Sequence, residues 1–418
     1  MLKKINTQVI LNIYLIINVL YLLLASFLWR HNKIYFTDYS HGFIFLLIIN
    51  FVLIIGLILK KKYKKNIIDI FLVLCIIFGV ISTIFAYNME IAIFGEYNRY
   101  EGLLQICYYI TILFISSFIN DKYKKYIVNT ILFTGIIQFL YGFLQVIPFY
   151  EFIPVVGKGI TLARGMITNS NFYGTYMLIC LSYSLGLFLD AKDKNKKIVY
   201  FFLYNVFIVG LLIANALSSI VGFICILICL LIYSIIKKIY KKFILVTLSF
   251  IVLLIGVTEA ELTFAISDLI KTKDEVIEIS KGNFDDHFGT DRMYVWKETL
   301  KIVPNHLING VGIDNYAYAF DGKALTIYNG AILYDKAHNE YLQTLVTQGI
   351  FSLISYLSLF IIIVINGIKN SFKTNELYLI LPVIGYLVQA FFNISVIEVA
   401  PLFYIALGLL VKRDIVEN

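Results

Sequence analysis

Long apolar runs alternate with short polar punctuation along almost the whole chain. A helix crosses the hydrocarbon layer of a bilayer with about 20 residues. On that measure twelve runs qualify: residues 8–29, 42–60, 67–86, 103–119, 127–147, 172–189, 198–215, 218–236, 243–258, 349–368, 378–395 and 399–412. The seventh and eighth are separated only by the stretch from Ala214 to Ser219, which predicts a tight helical hairpin. One polar segment breaks the rhythm. The expected organisation is therefore nine spans in residues 1–258, a long loop in 259–348 and three further spans in 349–418. The fold class this implies is an all-α integral membrane protein of about 12 transmembrane helices.

A structureless connector of that length would be unusual, and loops of this size are usually functional. This one opens with an amphipathic run from Glu261 to Ile279, followed by a turn-rich patch from Lys281 to Thr290. Asp291 to Val303 then reads as a second helix ended by Pro304, and Gly310 and Gly312 read as a flexible turn. The loop closes on Ala337, His338 and Asn339 and runs into an apolar helix. An ionisable ring thus stands at the edge of a membrane span, where it needs a partner or a task.

Composition supports the membrane reading. Of 418 residues 60% are apolar and 15% charged, with a mean hydropathy of +0.83; a soluble globule could not cover that much apolar surface. The net charge of +8 would suit nucleic acid, but the cations stand in short clusters between apolar runs, as topology signals do. With the N-terminus in the cytoplasm, the inner loops collect 22 of the 35 Lys and Arg residues, including Lys3, Lys4 and the Lys60–Lys65 cluster. The short outer loops keep only Arg30, Lys33, Arg99, Lys158 and Arg164. Both termini are therefore expected inside and the long loop outside. The N-terminal run has no small-residue cleavage site and reads as a retained anchor. All five cysteines lie in apolar runs and read as packing residues, not as a disulfide framework or a metal site.

Three polar constellations remain on the outer side, each leading into a span. They are Asn98 to Gly102 with Arg99 and Glu101, Arg164 to Asn171, and the pair Arg292 and His338. Each also has a plain structural reading. Arg99 and Glu101 could form an ion pair at a helix start, and Arg164 could snorkel to the interface. Asn169 and Asn171 could cap a helix. Arg292 could stack on Trp296, and His338 could cap the helix after it. Together they point elsewhere. Guanidinium forks bind phosphate oxygens in pairs, and a neighbouring imidazole can take a proton near neutral pH. No outer acidic cluster has the spacing to hold Mg²⁺ or Ca²⁺; Asp285 and Asp286 stand alone. The chemistry that fits is metal-free transfer, without a cofactor, from a phosphate-linked donor held in the bilayer.

These motifs, in this order, resemble the O-antigen ligase and O-antigen polymerase superfamily of bacterial surface-polysaccharide enzymes. Phe94-Gly95 followed by Arg99, Glu101 and Gly102 looks like its early arginine motif. Arg164 followed by Asn169, Asn171 and Gly174 resembles its second. Asp291, Arg292 and Trp296, then Pro304, Gly310, Gly312, Asn315 and Tyr316, resemble its loop signature, and His338-Asn339 with Gly349 its ligase histidine motif. The likeness covers roughly residues 80–360. Two positions depart from it: Ser352 replaces a second glycine, and Ser218-Ser219 lacks the arginine often found there.

The resemblance implies a membrane-embedded, GT-C-like inverting glycosyltransferase of the bacterial cytoplasmic membrane, working on its outer face. Its donor would be a glycan on undecaprenyl pyrophosphate and its acceptor a lipid or glycan hydroxyl. Arg164 and Arg292, with Arg99, would hold the pyrophosphate, and His338 would be the general base. Glu101, Asn169, Asn171, Asn339 and Trp296 would support them. Ligase and repeat-unit polymerase both stay open, with His338-Asn339 leaning toward the ligase. A flippase or other transporter is the rival from another class. It would place polar groups and broken helices at mid-membrane, whereas charge here gathers at the outer ends of spans.

Overall fold

The computed structural model describes residues 7–59, 65–97, 99–147, 162–320, 325–327, 332–374 and 376–413. Lys3, Lys4, Lys60, Lys61, Lys62, Lys64, Asn98 and Lys158 lie outside the described residues.

Each of the twelve apolar runs holds one helix, and the chain is an integral membrane protein. Nine helices among the described residues are long and apolar enough to cross a bilayer. They are α1 (Thr7–Arg30), α2 (Phe36–Leu59), α3 (Ile67–Ile84), α6 (Asp121–Val146), α7 (Ser170–Asp190), α8 (Lys194–Ile213), α9 (Leu217–Lys237), α10 (Tyr240–Glu259) and α14 (Ile350–Thr374). Three shorter apolar helices occupy the remaining runs, α5 (Leu103–Ser116), α15 (Leu377–Gln389) and α16 (Ala400–Leu410), and the six-residue α4 (Met89–Phe94) precedes α5. A 13-residue helix such as α15 rises only about 20 Å, short of the roughly 30 Å hydrocarbon layer. These short helices lie within the bundle. Every residue of α16 is buried, and α15 packs on α7 and α9 while α16 packs on α5.

The centre of the bundle is α7. The whole of its most apolar stretch is buried inside the protein, although it is the least hydrophobic of the long helices. Small and hydroxyl residues explain this, because they let neighbouring backbones approach closely. Gly186 lies against the backbone of Tyr378, where a β-carbon would collide. Ser182 returns its hydroxyl to Leu178 O at 2.6 Å, so that hydroxyl is not stranded. Peripheral helices do the opposite. Phe45, Ile48, Val52 and Ile55 of α2, and Leu248, Val252 and Ile255 of α10, face outward, as a lipid-facing surface requires.

Polar connections separate to two ends of the bundle. At one end basic residues tie the loops together: Arg413 meets Asp69, Lys412 meets Asp121 and Glu376, and Lys237 and Lys242 bond the carbonyls of Phe372 and Leu189. The outer constellations of the sequence occupy the other. The α8–α9 hairpin turns through Asn215, whose φ of 50° is left-handed.

Three local features differ from expectation. The run 378–395 is not one helix, because α15 stops at Gln389 and residues 390–399 form a non-helical corner, buried from Asn393 onward. Their backbone groups serve the polar end of the molecule: Phe392 O accepts from Arg292 and Ser395 N donates to Glu340. The long loop contains not only helices α11 (Ala265–Ser280), α12 (Arg292–Ile302) and α13 (Glu340–Gln348). It also carries a small antiparallel hairpin, β1 (Leu325–Ile327) with β2 (Ile332–Tyr334). Finally, Gly310 and Gly312 are a close contact, not a flexible turn. Val311 N and Gly312 N donate to Val346 O and Thr347 O, both at 3.0 Å. At Gly310, with φ 69°, a β-carbon would strike the Thr347 backbone. Proline acts as expected: α12 ends at Ile302 and a 3-10 turn containing Pro304 follows.

Candidate functional site

His338 occupies a sharp corner between β2 and α13. Its φ of 49° is left-handed, a region few non-glycine residues adopt. The corner is held from several sides. Trp296 of α12 donates its indole N–H to Ala337 O at 3.0 Å, and Ala337 N donates to Gln343 Oε1 at 2.8 Å. Asn339 caps α13, its Oδ1 accepting from Tyr341 N and Leu342 N, each at 3.0 Å. Asn339 therefore takes the capping role and leaves the imidazole free of it. The ring stands edge-on to Tyr334, with centroids 6.1 Å apart. Removal from water, and then the positive charge of Arg292, bring the His338 pKa down to about 4, while Asp335 opposes them. At neutral pH the ring is an uncharged acceptor.

Arg292 is the first residue of α12. Its Nε donates to Phe392 O at 3.0 Å, and its Nη1 donates to Gly289 O at 2.8 Å and Thr290 Oγ1 at 2.6 Å. These three partners are neutral, so they fix the guanidinium without cancelling its charge. Trp296 lies one turn further along. Instead of stacking on Arg292 it packs edge-on against Phe391 at 5.4 Å and holds Ala337.

Arg99 makes a forked pair with Asp335, Nε to Oδ2 at 2.6 Å and Nη2 to Oδ1 at 3.1 Å. The pairing of Arg99 with Glu101 considered from sequence does not form. Tyr100 between them has a left-handed φ of 56°, which turns the two side chains apart. Glu101 accepts from Tyr109 Oη at 2.8 Å instead. It lines a cavity of about 70 Å³ whose polar residues include Asp314, Lys336, Glu340, Tyr356 and Ser395. Lys336 pairs with Asp314, both side chains almost wholly buried. Burial pushes the Glu101 and Glu340 carboxyls up and the Lys336 amine down. Each change reduces the charge kept out of water.

The Arg164 segment is held by α6. Gln145 Oε1 accepts from Arg164 N at 2.9 Å and Gly165 N at 3.0 Å, and Gln138 Oε1 accepts from Met166 N at 2.9 Å. The Arg164 Nε is buried and has no hydrogen-bond partner among the described residues. Four residues on, Thr168 donates from its N at 2.8 Å and its hydroxyl at 2.6 Å to Glu398. Burial raises the Glu398 carboxyl to about 7, against those two bonds and the charges of Arg99 and Arg30. Asn169 is the cap of α7, accepting from Asn171 N at 2.8 Å, whereas Asn171 sits in the first helical turn and is not a cap.

The structure thus brings His338, Arg292 and Arg99 into one electrostatic neighbourhood. Arg164 joins it indirectly, through Thr168 and Glu398. Reading the sequence missed Asp335, Lys336, Asp314 and Glu398. Glu398 was open to discovery as a single carboxylate between two closely spaced apolar runs. The other three gave no signal, because their partners are distant in the chain. Among the described residues, no three His, Cys, Asp or Glu side chains are grouped so as to hold a metal ion.

Residues 198–357, from α8 into α14, match the family model described as O-antigen ligase. No curated protein matches the chain.

Proposed function

We propose that this member of the O-antigen ligase and polymerase superfamily is a metal-independent, inverting glycosyltransferase. Its donor is a glycan on undecaprenyl pyrophosphate. The observation that carries the reading is a neutral imidazole at a rigid corner beside two guanidinium groups.

In this scheme the His338 ring accepts the proton of an acceptor hydroxyl as that oxygen forms its bond to the anomeric carbon. The bond from that carbon to the pyrophosphate oxygen breaks on the opposite side, so configuration inverts. The electron pair leaves with the lipid pyrophosphate. Arg292 and Arg164 balance the charge growing on it, which is the usual way such leaving groups are stabilised. An anionic donor also offsets the field of Arg292 and makes the ring a stronger base once the complex forms. Arg99, already forked onto Asp335, orients the segment that carries His338. The basic end of the bundle faces the cytoplasm and the His338 end faces outward, in line with the positive-inside preference.

Within the superfamily, ligase chemistry is favoured by the His338-Asn339 pair, in which Asn339 secures the helix and frees the ring. Deleting the gene and identifying the lipid-linked glycan that accumulates is the deciding experiment. Finished chains support a ligase and single repeats a polymerase. No accumulation at all would remove the enzyme from this step.

A further inference from the structure

Arg30, the last residue of α1, forms no ion pair among the described residues. Arg30 has both Nε and Nη2 buried and without hydrogen-bond partners, and the adjacent His31 has a buried, unpartnered Nε2. A buried guanidinium left unsatisfied is destabilising unless something supplies the missing acceptor. No such orphan is expected of a side chain that simply snorkels, because its nitrogens would reach water.

Position says what could supply it. Arg30 and His31 lie against Tyr141 of α6; the rings of His31 and Tyr141 are 6.1 Å apart and edge-on. One turn further along α6, Gln145 holds the backbone of Arg164, whose Nε is also buried without a partner. Arg30 also acts electrostatically on Glu398, the carboxylate that binds Thr168 and senses Arg99. Two arginines, Arg30 of α1 and Arg99, therefore act on one carboxyl, and the Arg164 segment reaches the same carboxyl through Thr168. Glu398 is engaged by Thr168 and leaves the unpartnered nitrogens of Arg30 and Arg164 unanswered.

We infer that Arg30 and Arg164, flanking the Tyr141–Gln145 turn of α6, form a phosphate-ester subsite at the outer end of the bundle. The ligand is a membrane-borne phosphate, either the pyrophosphate of a polyprenyl lipid or a phospholipid headgroup. In the first case the inference rests on the proposed function and adds Arg30 to the donor site; in the second it stands apart from it.

The test measures binding, not turnover, so it survives if the proposed reaction fails. Purified full-length protein in phosphatidylcholine nanodiscs is titrated with undecaprenyl pyrophosphate. In a second arm, native mass spectrometry counts phosphatidylglycerol retained from nanodiscs doped with it. Arg30→Gln and Arg164→Gln are each expected to weaken one of these ligands about tenfold, as loss of a charged hydrogen bond should. Arg30→Lys should fold as the parent does yet bind severalfold more weakly, since it lacks the fork. The arm that changes identifies the source of the phosphate. The melting temperature of unliganded Arg30→Gln should be no lower than that of the parent, because the charge removed has no ion pair to lose among the described residues and Gln can still bond Tyr141. Unchanged binding of both ligands by Arg30→Gln, or a lowered melting temperature with binding intact, would overturn the inference.

Discussion

Arg99 and Asp335 stand 236 positions apart and meet through two parallel hydrogen bonds, of 2.6 and 3.1 Å. The pair joins the loop before α5 to the segment that ends in His338, so an arginine far from the histidine in sequence helps fix its corner. Both side chains keep partial contact with solvent, so the value of the pair lies in its geometry more than in its net energy. Arg99→Lys keeps the charge but loses the fork. Glycan transfer should fall about tenfold, with thermal stability nearly unchanged. A transfer assay beside a melting curve reads both, and equal loss of the two would make Arg99 merely structural.

His338 is expected to be indispensable. His338→Ala should abolish transfer while expression and melting temperature stay near the parent, because the ring makes an edge contact and caps nothing. Full activity would remove it from the mechanism.

The pH profile offers a separate check. The histidine pKa is depressed to about 4, so the free enzyme holds its base unprotonated above that value and loses it as pH falls through it. The acid limb of kcat/KM should therefore lie well below pH 6.5, the ordinary histidine value. Bound anionic donor favours the protonated ring, so the acid limb of kcat should lie higher than that of kcat/KM. The reverse order would contradict a base beside a bound phosphate.

The Lys336–Asp314 pair is buried on both sides, and Asp314 Oδ2 also accepts from Glu96 N at 2.6 Å. Lys336→Met should destabilise the protein by about 3–5 kcal/mol by leaving a buried carboxylate unpaired. Adding Asp314→Asn should recover part of that loss. Melting curves of the single and double variants test it; no recovery would mean that Lys336 acts through packing.

Transfer should persist in the presence of a chelator, since the proposed chemistry assigns charge stabilisation to guanidinium groups. Activity lost to EDTA and restored by an added divalent ion would overturn the metal-free scheme.

The sequence by itself determined the number and order of apolar helices and the long loop's amphipathic first helix. It also determined the stop at Pro304 and the polar character of the three outer constellations. Periodicity, run length and proline chemistry are local, and a single chain carries them openly. It could not decide which runs lie inside the bundle: α16 is buried throughout and α7 everywhere but at Asn171 and Asp190, and the difference between lipid-facing and protein-facing leucine is invisible to hydropathy. Nor could it find the break at Gln389, where side chains from α12 and α13 compete for the backbone that a continuing helix would have used. Tertiary structure alone decided that Arg99 turns to Asp335 and not to Glu101, that Asn339 rather than His338 caps α13, and that Arg30 forms no ion pair among the described residues. The physical reason is the same in each case: a charge in a low-dielectric setting is governed by whichever partner arrives within a few ångströms, and here those partners come from remote parts of the chain.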